Sequence, residues 1–126
     1  MKPLALLFVL AATAQAAPPA SFLRALHIVE TSGRTGAILG DNGKALGPLQ
    51  IHRAYHADAR VGGDYSRCAD LDYSKRVVSA YLQRYAPQAW AAGDVSTLAR
   101  IHNGGPRGAS KPATVNYAAK VTRLTK

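Results

Sequence analysis

The chain has one cysteine, Cys68, in 126 residues. A single thiol cannot close an internal disulfide, so the staple that small exported domains commonly use is excluded and stability must come from packing. Cys68 itself reads as a small buried hydrophobe in preference to a reactive nucleophile. No Cys/His set stands at metal-ligand spacing, and neither a metal nor a cofactor is expected. Negative charge is equally scarce: 7 Asp+Glu face 16 Lys+Arg, a formal net charge of +9. That imbalance favours anionic partners, here an anionic cell envelope bound by charge; a merely solvated basic surface is the competing reading. Nucleic acid is not expected, because the chain carries no nucleic-acid motif and no basic stretch interleaved with aromatics.

Long apolar runs are missing too. The one candidate, Leu4–Ala14, is shorter than the ~20 residues a membrane span requires. It follows Lys2 and runs into Ala14-Gln15-Ala16, a small-x-small cleavage pattern. Residues 1–16 are therefore expected to be a secretory signal peptide, and the protein secreted or periplasmic, with no stable membrane insertion after cleavage. Without Lys2, 15 basic residues remain against 7 acidic ones, a net charge of +8. Residues 17–126 suffice for one domain with one core. They hold no internal repeat and no low-complexity tract, and they say nothing of oligomeric state.

What is present is mostly helical periodicity. Ser21 is placed to cap a helix over 22–31, with Phe22, Leu23, Leu26 and Val29 on its apolar side and Gly33 at its stop. Residues 33–49 are glycine-rich, and "GDNGK" predicts the tight turn of a small hairpin. A second helix is expected at about 51–59, with Ile51, Ala54 and Tyr55 facing in. "VGGDYSRCADLD" reads as loop. Asp72 or Ser74 then caps a helix over about 74–86, which Pro87 ends. Asp94 or Ser96 caps a short helix through Ile101, "HNGGPRGASKP" reads as an irregular loop, and a last helix follows Thr114 with Tyr117, Ala118, Val121 and Leu124 inward. The predicted fold class is α+β: mainly helical with a small β-hairpin.

There is also a single glutamate, Glu30, at the end of the apolar stretch "SFLRALHIVE" and directly before "TSG". A carboxyl at the end of a buried helix, a second carboxylate at Asp41 and a Gly-Pro-x-Gln-Ile segment point to glycosidic bond cleavage. That reaction needs a protonated acid at the leaving oxygen and a carboxylate at the other face of the sugar, near the anomeric carbon. Glu30 borders an apolar helix face, where desolvation favours its protonated form. Asp41 sits in a polar Gly/Asn turn, where water solvates its charge.

In order along the chain, "VETSG", Asp41 with "GPLQIHRAYHADA", "RCADLDYSKRVVSAYLQRYA", "LARIHNGGPRG" and "ATVNYAAKV" resemble the invertebrate-type (destabilase) lysozymes. The resemblance runs from about Leu23 to Leu124, and its most specific segments are "GPLQIHRAYHADA" and "ARIHNGGPRG". It implies a lysozyme-like fold and a muramidase acting on the peptidoglycan glycan or chitooligosaccharide-like chains, with Glu30 as general acid and Asp41 as second carboxylate. That division of labour is carried over from the wider lysozyme pattern. The chain departs from the animal members in cysteine: Cys68 falls on a family cysteine whose partner position reads Ser74, Ala59 stands where a further cysteine is expected, and Leu46 where a cysteine or serine is. Gln50 and Asn103 are candidates for hydrogen bonds to sugar hydroxyl or acetamido groups. Tyr55 fits either a sugar-stacking or a core role, His102 either a cleft or a structural one. Gly104, with Gly105 and Pro106, is expected to shape a loop over the cleft.

Three rivals stand beside this reading. A lytic transglycosylase uses one helix-end glutamate before a Gly-x-x-Gln-Ile-like segment and needs no second carboxylate. An isopeptidase side activity requires serines near the second carboxylate, and no serine lies between Gly33 and Tyr65. A non-catalytic basic protein that binds or disrupts envelopes by charge needs no Glu30 at all.

Overall fold

The structure is a computed structural model and describes residues 17–126; the expected signal peptide lies outside the described residues. Helix α1 spans Ala20–Thr31. It begins two residues before the expected start at 22, after Pro19, and no side chain caps it. At its other end Ser32, at φ 55°, adopts the left-handed conformation, and the Ser32 and Gly33 N–H groups donate to the carbonyls of Ile28 and His27.

The glycine-rich stretch folds into three short antiparallel strands in sequence order: β1 (Leu39–Gly40), β2 (Ala45–Leu46) and β3 (Ile51–His52). Leu39 pairs with Leu46 and Gly40 with Ala45; Ala45 then pairs with His52 and Leu46 with Ile51. Asn42 and Gly43, at φ 55° and 82°, form the β1–β2 turn, closed by Lys44 N–H donating to the Asp41 carbonyl at 3.1 Å. Asn-Gly is the pair that supplies two left-handed residues at least cost. The expected hairpin thus gains a third strand. Ile51 belongs to β3 and helix α2 is confined to Arg53–Ala59, because the main chain of Ile51 and His52 finds a ladder partner in β2 before a helix can start.

Gly47 locks this sheet to the next segment. A Cβ at Gly47, at φ 85°, would lie 1.8 Å from the Cys68 carbonyl oxygen, so backbone packs directly on backbone there. Cys68 lies in a 3-10 turn, Tyr65–Ala69, within the segment read as loop. It is buried, which pushes its thiol up to about 11 and keeps it unreactive. Buried Ser74 donates to the Cys68 carbonyl at 2.7 Å.

Helix α3 (Leu71–Tyr85) is capped by Asp70, whose carboxylate accepts from the Tyr73 N–H, one turn ahead of the expected start. Pro87 both ends α3 and opens α4 (Pro87–Ala92), where a missing N–H is harmless. Asp94 caps α5, which continues past Ile101 to Gly104. Short 3-10 turns at Gly108–Ser110 and Pro112–Thr114 lead into α6 (Val115–Leu124). Phe22, Leu26, Leu49, Ile51, Tyr73, Val77, Val78, Leu82, Leu98 and Val121 fill the core. Two residues expected to face the core are exposed instead: Ala54 in α2 and Leu124, the last residue of α6. Among the described residues no helix is long and apolar enough to cross a membrane.

Candidate active site

A cleft of about 720 Å³ opens between the sheet on one side and the helices on the other, a size that takes a small ligand. Its lining includes Glu30 from the end of α1, Asp41 and His52 from the sheet, Tyr55 and Asp58 from α2, Tyr81 from α3, and His102 and Asn103 from α5. Thr31, buried next to Glu30, fixes the relation of α1 to the sheet. Its hydroxyl donates to the Pro48 carbonyl at 2.8 Å.

The two carboxylates meet different surroundings. Burial pushes Glu30 from its ordinary 4.5 up to about 7. The Tyr117 hydroxyl from α6 opposes that shift, although the pair falls short of full hydrogen-bond geometry and Tyr117 has no other partner. Asp41 is exposed, with 58% of its side chain accessible, and Oδ2 lies 3.1 Å from His52 Nε2. Asp41 is also in the left-handed region, at φ 49°, a turn conformation that aspartate tolerates better than most non-glycine residues. One group is thus an acid that keeps its proton near neutrality; the other is a solvated carboxylate aimed into the same cleft.

The same cleft has an aromatic wall. Tyr55 stacks on Tyr81 with ring centroids 3.6 Å apart and planes 11° from parallel. The Tyr55 hydroxyl lies 2.9 Å from His102 Nδ1. Burial lowers His102 to about 4, so its imidazole is neutral at physiological pH. Among the described residues no group of three or more His, Cys, Asp or Glu is arranged to hold a metal ion.

Residues 22–124 match the Destabilase family. The chain belongs to the destabilase family. Lysozyme 1 of Crassostrea virginica is 39% identical over 102 residues, covering 79% of this chain and 55% of that relative. The chain spans little more than half the length of the curated relatives it matches first. Among solved structures, Meretrix lusoria lysozyme in complex with Aeromonas hydrophila PliI superposes with a TM-score of 0.72 at 28% identity, covering 86% of this chain and 91% of that one. Tapes japonica lysozyme gives 0.72 at 28% identity, with 86% and 94% covered.

In this chain Glu30, Asp41, Gln50, Tyr55, His102 and Asn103 share the cleft. Gly104 does not. It ends α5 facing the other way, with Thr114 Cγ2 2.6 Å from where a Cβ would sit, and its carbonyl accepts from Lys111 Nζ. The extension of α5 turns it off the cleft, and Gly105 and Pro106 form the rim instead. Gln50 spends both amide hydrogens on the hairpin, donating to the carbonyls of Ile38 at 3.2 Å and Gly47 at 2.9 Å. His52, Asp58 and Tyr81 line the cleft without having been singled out. Asp58 had a signal, since it follows Tyr55 by one helical turn and shares its face. His52 had none, because its pairing with Asp41 follows from the β-sheet register alone.

Proposed function

We propose that this protein is a lysozyme: a muramidase that hydrolyses the β-1,4 bond between N-acetylmuramic acid and N-acetylglucosamine in peptidoglycan. The observation that carries the reading is the pairing, in one cleft, of Glu30 held protonated near neutrality with the solvated Asp41. Glu30 delivers its proton to the glycosidic oxygen as the bond breaks, and Asp41 faces the charge that develops at the anomeric carbon. The exposed Asn103 amide is free to bond sugar hydroxyl or acetamido groups. Gln50 presents its carbonyl while bracing the turn that carries Asp41, and Tyr55 and His102 form the wall against which the sugar rests. The names of the relatives in the family support the same chemistry.

The protein is exported by cleavage after residue 16, and its basic surface draws it to anionic walls. All seven acidic residues have a place: Glu30, Asp41 and Asp58 line the cleft, and Asp64, Asp70, Asp72 and Asp94 sit at helix N-termini. Among the described residues none of them pairs with a Lys or Arg, so the cationic surface is uncompensated and attracts polyanions.

The test is to incubate purified residues 17–126, beside the Glu30→Gln variant, with peptidoglycan and weigh the released muropeptides. Hydrated reducing ends that vanish in the variant support the muramidase. Anhydro ends from the unaltered protein would make it a transglycosylase and remove Asp41 from the chemistry. Absence of products from both would leave a wall-binding protein.

A further inference from the structure

Tyr117 Oη is the only buried side-chain polar atom without a hydrogen-bond partner among the described residues. Buried hydroxyls are nearly always bonded, and an exception at a functional cleft calls for a cause. The hydroxyl comes from α6, which packs against α1 and α5. Its neighbours leave it little choice. The His102 ring is 6.3 Å away between centroids, and His102 Nδ1 is already engaged by Tyr55 Oη. Tyr55 in turn is held against Tyr81. What remains within its influence is the Glu30 carboxyl.

We propose that Tyr117 is a positioning residue for Glu30: its hydroxyl waits beside the carboxyl and donates a full hydrogen bond only once Glu30 has given up its proton. This inference rests on Glu30 being the general acid. As the glycosidic C–O bond breaks, its electron pair goes to the leaving oxygen, which takes the Glu30 proton. The negative charge left on Glu30 then lies in a desolvated pocket, with the Tyr117 hydroxyl as its nearby donor. Tyr117 keeps its own proton throughout. An interaction that strengthens as charge develops lowers the barrier without tightening substrate binding. Its looseness in the resting protein fits, since such contacts are often long before the transition state. The other titratable groups around the carboxyl do not substitute. Tyr55 and His102 engage each other, Asp41 and His52 pair with one another on the sheet side, and Asp58 brings a second carboxyl in place of a hydroxyl donor.

The composition makes the test direct. Glu30 is the only glutamate, so labelling with glutamate enriched in 13C at the side-chain carboxyl yields a single resonance whose titration needs no assignment. In Tyr117→Phe the Glu30 midpoint is expected to rise by about one pH unit, and the alkaline limb of the rate profile to move with it. kcat is expected to fall roughly tenfold with KM unchanged. A midpoint that stays or falls overturns the proposal, even if the rate drops. Should the variant not fold, the Tyr117 13Cζ resonance of the unaltered protein serves: it must titrate with the Glu30 midpoint, and a flat response overturns the proposal equally. A midpoint that rises in a protein without glycan hydrolysis would sink the muramidase reading and keep the Tyr117–Glu30 contact.

Discussion

Glu30 and His102 are buried in opposite charge logic, and together they set how the protein responds to pH. Glu30 ordinarily titrates at 4.5 and here at about 7. Between those values the folded state holds a proton that the unfolded chain releases, so this group's contribution to stability falls as pH rises from about 4.5 to 7. His102 goes from 6.5 down to about 4. The unfolded chain binds that proton first, so stability is lost as pH falls from about 6.5 to 4. Over the shared range the slopes oppose and the protein should be nearly flat. Glu30→Gln removes one of them. We expect the variant to be more stable than the parent at pH 8 by about 1–3 kcal/mol, and to show a stability that climbs with pH between 4.5 and 6.5; urea melts at a series of pH values measure both. The same substitution should lower hydrolysis by roughly 10²–10⁴-fold. In the parent, rate should decline above pH 7 as the acid loses its proton, which a pH–rate profile checks.

Among the elements, the three-stranded sheet carries the site with the least core of its own. Its shape depends on a few backbone contacts, and two glycines separate the causes. Gly43 and Gly47 both sit at positive φ, at 82° and 85°, yet a Cβ at Gly43 meets nothing within 4 Å while one at Gly47 strikes the Cys68 carbonyl. Gly43→Ala should cost about 1 kcal/mol from conformation alone. Gly47→Ala should cost upward of about 3 kcal/mol because backbone must move; denaturant midpoints would distinguish them, and equal losses would disprove the locking role of Gly47. Gln50→Ala deletes the donors to Ile38 and Gly47. A loss of about 1–2 kcal/mol is expected, with a fall in kcat as the turn carrying Asp41 loosens, read by steady-state kinetics on soluble glycan. Local periodicity located α1, α3, α5 and α6, since each is amphipathic within its own span. It misread Ile51 and His52, because two residues of strand carry no period and exist only through pairing with β2.

For the whole molecule, charge is partitioned. The acids are confined to the cleft and to helix N-termini, while Lys and Arg cover the rest without carboxylate partners among the described residues. Attraction to an anionic wall should therefore be long-ranged and screened by salt. Raising ionic strength from about 0.01 to 0.15 M shortens the Debye length from about 30 to 8 Å, and both binding to whole cell walls and lytic rate should fall severalfold. Hydrolysis of a short neutral chitooligosaccharide should barely change. A lytic rate indifferent to salt would remove the surface from the mechanism.

The sequence by itself determined what depends on neighbours along the chain: the helical periods, the Asn-Gly turn, the aspartate caps, the lone glutamate at a helix end and the family to which these belong. Which groups face one another was settled only by the tertiary structure. The burial that lifts Glu30 depends on elements remote from it in sequence, α6 above all, which packs on α1. The His52–Asp41 pair follows from register, the exit of Gly104 from the cleft follows from an extra turn of α5, and the unpartnered Tyr117 hydroxyl follows from how α6 lies on α1. Desolvation and hydrogen bonding are properties of a surrounding, and a chain acquires its surroundings only by folding.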